Sequence, residues 1–114
     1  MKTLHDLPLP VSLHAAIQAV RHRLTGECSV ERLILFGSVV RGEADAESDA
    51  DLLVVLTEPP TAQVRGRITS LILDINLAYD INLSELIVDQ QTWDVGLPAA
   101  LPIHAELEAE GIRL

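Results

Sequence analysis

The chain has 114 residues, with 17 acidic against 8 basic side chains and a formal net charge of −9. Nearly half the residues are apolar (48%), which excludes a disordered polypeptide. The acidity argues against a general nucleic-acid binder, whose affinity comes from Lys and Arg on phosphates. With one Phe, one Tyr and one Trp there is no aromatic platform for single-stranded bases, and the core must be built from Leu, Ile, Val and Ala. The length fits one domain spanning residues 1–114.

Residues 1–10 read as an irregular lead-in ending at Pro10. Ser12 is placed to cap a helix that runs to Thr25, with Gly26 as its stop. Leu13, Ile17, Val20 and Leu24 follow at spacings of four, three and four and make one apolar stripe. Leu33-Ile34-Leu35-Phe36 is apolar throughout, so it reads as a strand buried on both faces and ending at Gly37. Ser38 starts a short helical segment toward Gly42, and residues 43–48 form a small, acidic surface loop. Asp51–Leu56 is a second buried strand.

Thr57-Glu58-Pro59-Pro60 reads as the start of the next helix, because proline is tolerated in a first turn. Val64, Ile68, Leu71, Ile75 and Ala78 then carry a helical period to about Tyr79, weakened slightly by Gly66. Ile81–Val88 is a third strand, with Asn82 and Ser84 on one face. Asp89 caps a short helix through Trp93, residues 96–98 turn the chain, and Ala99 or Pro102 opens a last helix to Glu110 that Gly111 stops. The expected fold is α/β (α+β): a small mixed sheet of about three to four strands flanked by helices.

The chemistry concentrates between the first two strands. Phe36-Gly37-Ser38-Val39-Val40-Arg41-Gly42-Glu43 is followed by Ser48-Asp49-Ala50-Asp51-Leu52, so a Gly-Ser turn precedes an Asp-x-Asp that opens an apolar strand. Side chains alternate along a strand, so positions 49 and 51 share a face, with Cα atoms roughly 6.6 Å apart. Paired carboxylates at that spacing suit shared divalent cations. Gly37 lets a backbone approach phosphate without a Cβ, and Ser38 offers a hydroxyl at a helix start, where amides favour anions. An isolated Asp-x-Asp would read as a cap or a solvated pair, and Gly37-Ser38 as a plain turn. The joint spacing favours a site.

This constellation of Gly37, Ser38, Arg41, Gly42, Ser48, Asp49, Asp51 and Leu52 resembles the nucleotidyltransferase signature of the DNA polymerase β superfamily. It is most similar to the minimal nucleotidyltransferase (MNT) proteins, many of which are antitoxins paired with HEPN-domain toxins. The resemblance implies that Asp49 and Asp51 are catalytic metal ligands, that Gly37, Ser38 and Arg41 hold the nucleotide, and that two Mg²⁺ ions and ATP are used. It also implies AMP transfer to a hydroxyl, a tyrosine, of a HEPN-type toxin. The small size fits a protein substrate, since transfer to a small molecule such as an aminoglycoside would need a further substrate-binding subunit.

The family commonly carries a third carboxylate on the next strand. The matching position is Asn82, a neutral amide, with Asp80 two residues earlier expected on the same strand face and able to substitute in part. This departure opens a second reading, an antitoxin that acts by direct binding with a degenerate nucleotide site. His5, His14, His22 and His104 show no ligand spacing with Cys28 and are not assigned to chemistry, and Trp93 reads as core or interface. One cysteine permits no intrachain disulfide. With no cationic-apolar leader and no long apolar run, the expected location is the cytoplasm.

Overall fold

The computed structural model describes residues 11–37, 49–96 and 102–114. Eight elements follow in chain order: α1 (Val11–Glu27), β1 (Val30–Phe36), β2 (Asp49–Leu56), α2 (Ala62–Tyr79), β3 (Asn82–Asp89), α3 (Gln90–Val95), α4 (Pro102–Glu110) and β4 (Ile112–Arg113). The four strands form one mixed sheet in the order β3-β2-β1-β4. β2 runs antiparallel to β1 and parallel to β3, the latter pair being joined by the α2 crossover. β4 is antiparallel to β1. The architecture is the expected one.

Strand alternation splits the core into two layers. Leu33, Leu35, Leu52, Val54 and Leu56 face a cluster with Leu13, Ile17, Val20 and Leu24 of α1 and Ile68, Leu71, Ile72 and Ile75 of α2. The apolar stripe read along α1 is therefore its buried face. Ile34, Leu53 and Val55 point the other way and pack with Trp93 of α3 and Leu107 of α4. Trp93 is 1% exposed and its ring lies 4.6 Å from that of His104, at 32°. It is a core residue, as read, and truncation to Ala is of the class that costs about 3–5 kcal/mol. Arg32 ties β1 to α3: its Nη2 donates to both carboxylate oxygens of Asp94, at 3.1 and 3.0 Å. Partial burial works against its charge, but hydrogen bonds to Glu31 and Asp94 outweigh it and hold the guanidinium firmly protonated.

Three local expectations need correction, and one strand is added. Ser12 lies inside α1 rather than at its cap, because the helix is already formed at Val11. Gly26 does not stop that helix, which continues to Glu27 and closes with the Cys28 amide donating to the Leu24 carbonyl at 2.9 Å. Thr57-Glu58-Pro59-Pro60 precedes α2 instead of opening it. A residue before proline is steered out of the helical region. The cap falls to Thr61, with ψ 165° and its hydroxyl accepting from the Val64 amide at 3.1 Å. The fourth strand, not located from sequence, is Ile112–Arg113, aligned with Leu35 and Ile34. Gly111 feeds it: a Cβ there would collide with the Ile34 side chain and the Leu107 carbonyl oxygen. The expectations for residues 1–10, the helical turn from Ser38, the loop over 43–48 and the turn beyond Gly96 lie outside the described residues.

Candidate active site

β1 and β2 are antiparallel neighbours, so the end of one meets the start of the other. Phe36 is the register partner of Asp51, and Gly37 follows at once. Gly37 has φ 93°, a left-handed conformation open to glycine and strained for other residues. A Cβ on it would stand 2.5 Å from Oδ2 of Asp51. The backbone at Gly37 is thus laid directly against a half-buried carboxylate, and only the missing side chain makes room.

Asp49 is the first residue of β2, so positions 49 and 51 share a sheet face as the spacing required. In the parallel ladder Asp49 pairs with Asn82 and Asp51 with Ser84. Register partners of neighbouring strands point to the same side, so all four positions fall on one face, at the end of the sheet where β2 and β3 begin. It is the face that carries Leu53 and Val55 toward Trp93, not the one covered by α1 and α2. Asn82 and Ser84 are exposed. Ser84 was not among the candidate ligands, although its place two residues after Asn82 was the signal that would have added it.

Asp80 does not lie on that face. It is the left-handed terminator of α2, at φ 54° and ψ 51°, with its amide donating to the Asn76 carbonyl, and β3 begins only at Asn82. The expectation that it shares a strand face with Asn82 is corrected: reversing the chain from helix to strand uses residue 80 as the hinge. Asn76 anchors the far side of that hinge. Its Nδ2 donates to the Leu83 carbonyl at 3.0 Å and its Oδ1 accepts from the Leu83 amide at 2.8 Å. Both edge-facing backbone groups next to Asn82 are satisfied, which fixes the start of β3 and so the level at which Asn82 meets Asp49.

The set suits a hard divalent cation: a carboxylate at 51, a second at 49, neutral oxygens at 82 and 84, and a glycine cradle that a Cβ would fill. Ser38 and Arg41, expected to touch phosphate, lie outside the described residues. A cavity of about 200 Å³ lies at the opposite end of β2, lined by Cys28, Ser29, Leu56, Thr61 and Arg67. Burial pushes the Cys28 thiol upward, the Arg67 charge opposes this and Glu27 reinforces it, so the thiol is not an activated nucleophile.

Residues 14–102 match the family described as "Nucleotidyltransferase domain". The chain belongs to the nucleotidyltransferase domain family. Within this nucleotidyltransferase domain, 58 residues are 41% identical to "Putative protein adenylyltransferase MJ0141" of Methanocaldococcus jannaschii, covering 51% of the present chain and 59% of that protein. The chain therefore spans about three-fifths of this curated relative. A solved structure described as "Structure of putative minimal nucleotidyltransferase" superposes with a TM-score of 0.60 at 26% identity, over 90% of this nucleotidyltransferase domain and 93% of the other chain. Both the expected family and the expected fold stand. No helix among the described residues is long and apolar enough to cross a membrane.

Proposed function

We propose that this chain is a Mg²⁺-dependent protein adenylyltransferase that moves AMP from ATP to a tyrosine hydroxyl of a HEPN-type toxin, acting as its antitoxin in the cytoplasm. The observation that carries the reading is the placement of Gly37 against Asp51, on the face that also holds positions 49 and 82. Family membership and the adenylyltransferase name of the relative support the class of reaction. The net charge of −9 supports a basic protein partner rather than nucleic acid.

In the reaction the acceptor oxygen forms a bond to the α-phosphorus. The bond from that phosphorus to the bridging oxygen breaks, and pyrophosphate leaves with the electron pair. Asp49 and Asp51 would hold the Mg²⁺ ions, which would supply charge stabilisation to the transferring phosphate. The residues divide the remaining work. Gly37 admits the phosphate chain close to the backbone, Ser38 and Arg41 hold it, and Asn82 orients without taking a proton. In this reading the acceptor proton passes to water as the bond to phosphorus forms.

A second reading is favoured by one observation: an amide stands at Asn82, opposite Asp49, where the family commonly has a carboxylate. In that reading the protein silences its partner by contact alone. Incubation with labelled ATP, Mg²⁺ and the co-encoded partner separates the two. A partner heavier by one AMP supports transfer. Suppression of the partner with no incorporated label, at any Mg²⁺ concentration, supports contact.

A further inference from the structure

The face of α2 turned away from the core is unusual for so charged a chain. Leu73 and Leu77, 56% and 75% exposed, stand at its centre, opposite the buried Ile68, Leu71, Ile72 and Ile75. Gly66 and Ser70 continue the same line toward the N-terminus at spacings of four and three, and both are exposed. A Cβ at Gly66 would meet nothing within 4 Å. Glycine is a poor helix former, and among the described residues no contact uses the space it leaves.

We propose that this face binds a second copy of the same chain, with α2 packed antiparallel on α2 about a two-fold axis passing between Ser70 and Leu73. The pattern is self-complementary under that operation, as an isologous interface requires. Leu77 of each copy comes level with Gly66 of the other, and Leu73 with Ser70, so each large side chain faces a small one. The charges agree with the same register. Arg67, an exposed residue that also lines the cavity beside Cys28, and Asp74 lie along one flank of the helix, and the two-fold brings Arg67 of each copy within about one turn of Asp74 of the other. A parallel arrangement would set leucine against leucine and glycine against glycine, and would carry Arg67 and Asp74 of the two copies to opposite flanks.

The dimer leaves the candidate site open, because α2 covers the opposite sheet face from Asp51. An 18-residue helix pair buries less than the roughly 1,200 Å² of a standard stable interface, so the association is weak and concentration-dependent.

The test is sedimentation equilibrium of the full chain from about 5 to about 500 µM, the range in which a small interface titrates. The expected result is a mass rising from one chain toward two, with the rise abolished in Leu73→Asp and Leu77→Asp. Because both leucines are exposed, these variants fold, which circular dichroism verifies. Arg67→Asp and Asp74→Arg each weaken the dimer about tenfold by placing like charges together, and the double exchange restores it. A chain that stays monomeric throughout overturns the proposal and leaves the face to a different protein. A dimer indifferent to the leucine substitutions, or not restored by the double exchange, overturns it as well.

Discussion

Asn82 stands across the parallel ladder from Asp49, one strand away and on the same face of the sheet. An acidic group here would face position 49 across the ladder. The amide instead contributes oxygen without charge. In the proposed reaction it would lower the repulsion among the carboxylates at 49 and 51 and would supply no base for the attacking hydroxyl.

Asn82→Asp is therefore expected to raise AMP incorporation into the partner, by about 10–100-fold if a general base is restored. Asp80→Ala, at the helix terminator, should leave transfer nearly unchanged. Single-turnover incorporation with labelled ATP measures both. Equal loss of activity in Asp80→Ala and Asp51→Ala would return Asp80 to the site.

Gly37→Ala should damage both fold and binding. The left-handed backbone costs about 1–3 kcal/mol with a side chain present, and the new Cβ must displace the Asp51 carboxylate. Gly37→Val should abolish Mg²⁺-dependent ATP binding while the secondary structure persists. Calorimetric titration with ATP, beside a urea melt, reads the two effects separately. Normal ATP affinity in Gly37→Val would remove the phosphate cradle.

Asn76→Ala breaks the paired hydrogen bonds that hold Leu83 and leaves two backbone groups at the start of β3 without them. A stability loss of about 1–3 kcal/mol is expected from denaturant unfolding. Nucleotide affinity should fall too, although Asn76 has no place in the site, because Asn82 loses its fixed level. Hydrogen exchange at the Leu83 amide, protected in the parent and fast in the variant, checks the cause.

Asp89 caps α3, its carboxylate accepting from the Thr92 amide at 3.0 Å. Hydrogen bonding by Thr92 holds its carboxyl below the usual range. A depressed folded value means the unfolded state takes the proton first. The stabilisation is complete above the ordinary carboxylate pKa and disappears as pH falls through the depressed one. Asp89→Ala should thus lower the melting temperature at neutral pH and converge with the parent in strong acid. A constant difference across the acid range would contradict the cap's charge.

Periodicity and local chemistry alone determined much of this protein. The stripe Leu13, Ile17, Val20 and Leu24, the two-faced strand Leu33–Phe36 and the shared face of positions 49 and 51 follow from 3.6- and 2-residue repeats, and the Asp89 cap follows from local side-chain chemistry; none needs a partner to be read. What tertiary structure decided were relations between elements. The closeness of Gly37 to Asp51 depends on antiparallel pairing of β1 with β2. The level of Asn82 against Asp49 depends on the parallel register set by the α2 crossover and pinned by Asn76. Asp80 looked like a strand residue because period-2 spacing runs on through the sequence. Its left-handed backbone is imposed by the reversal from α2 into β3. β4 has two residues, too few for any period, and exists because β1 offers an edge and Gly111 lets the chain pass close enough to use it.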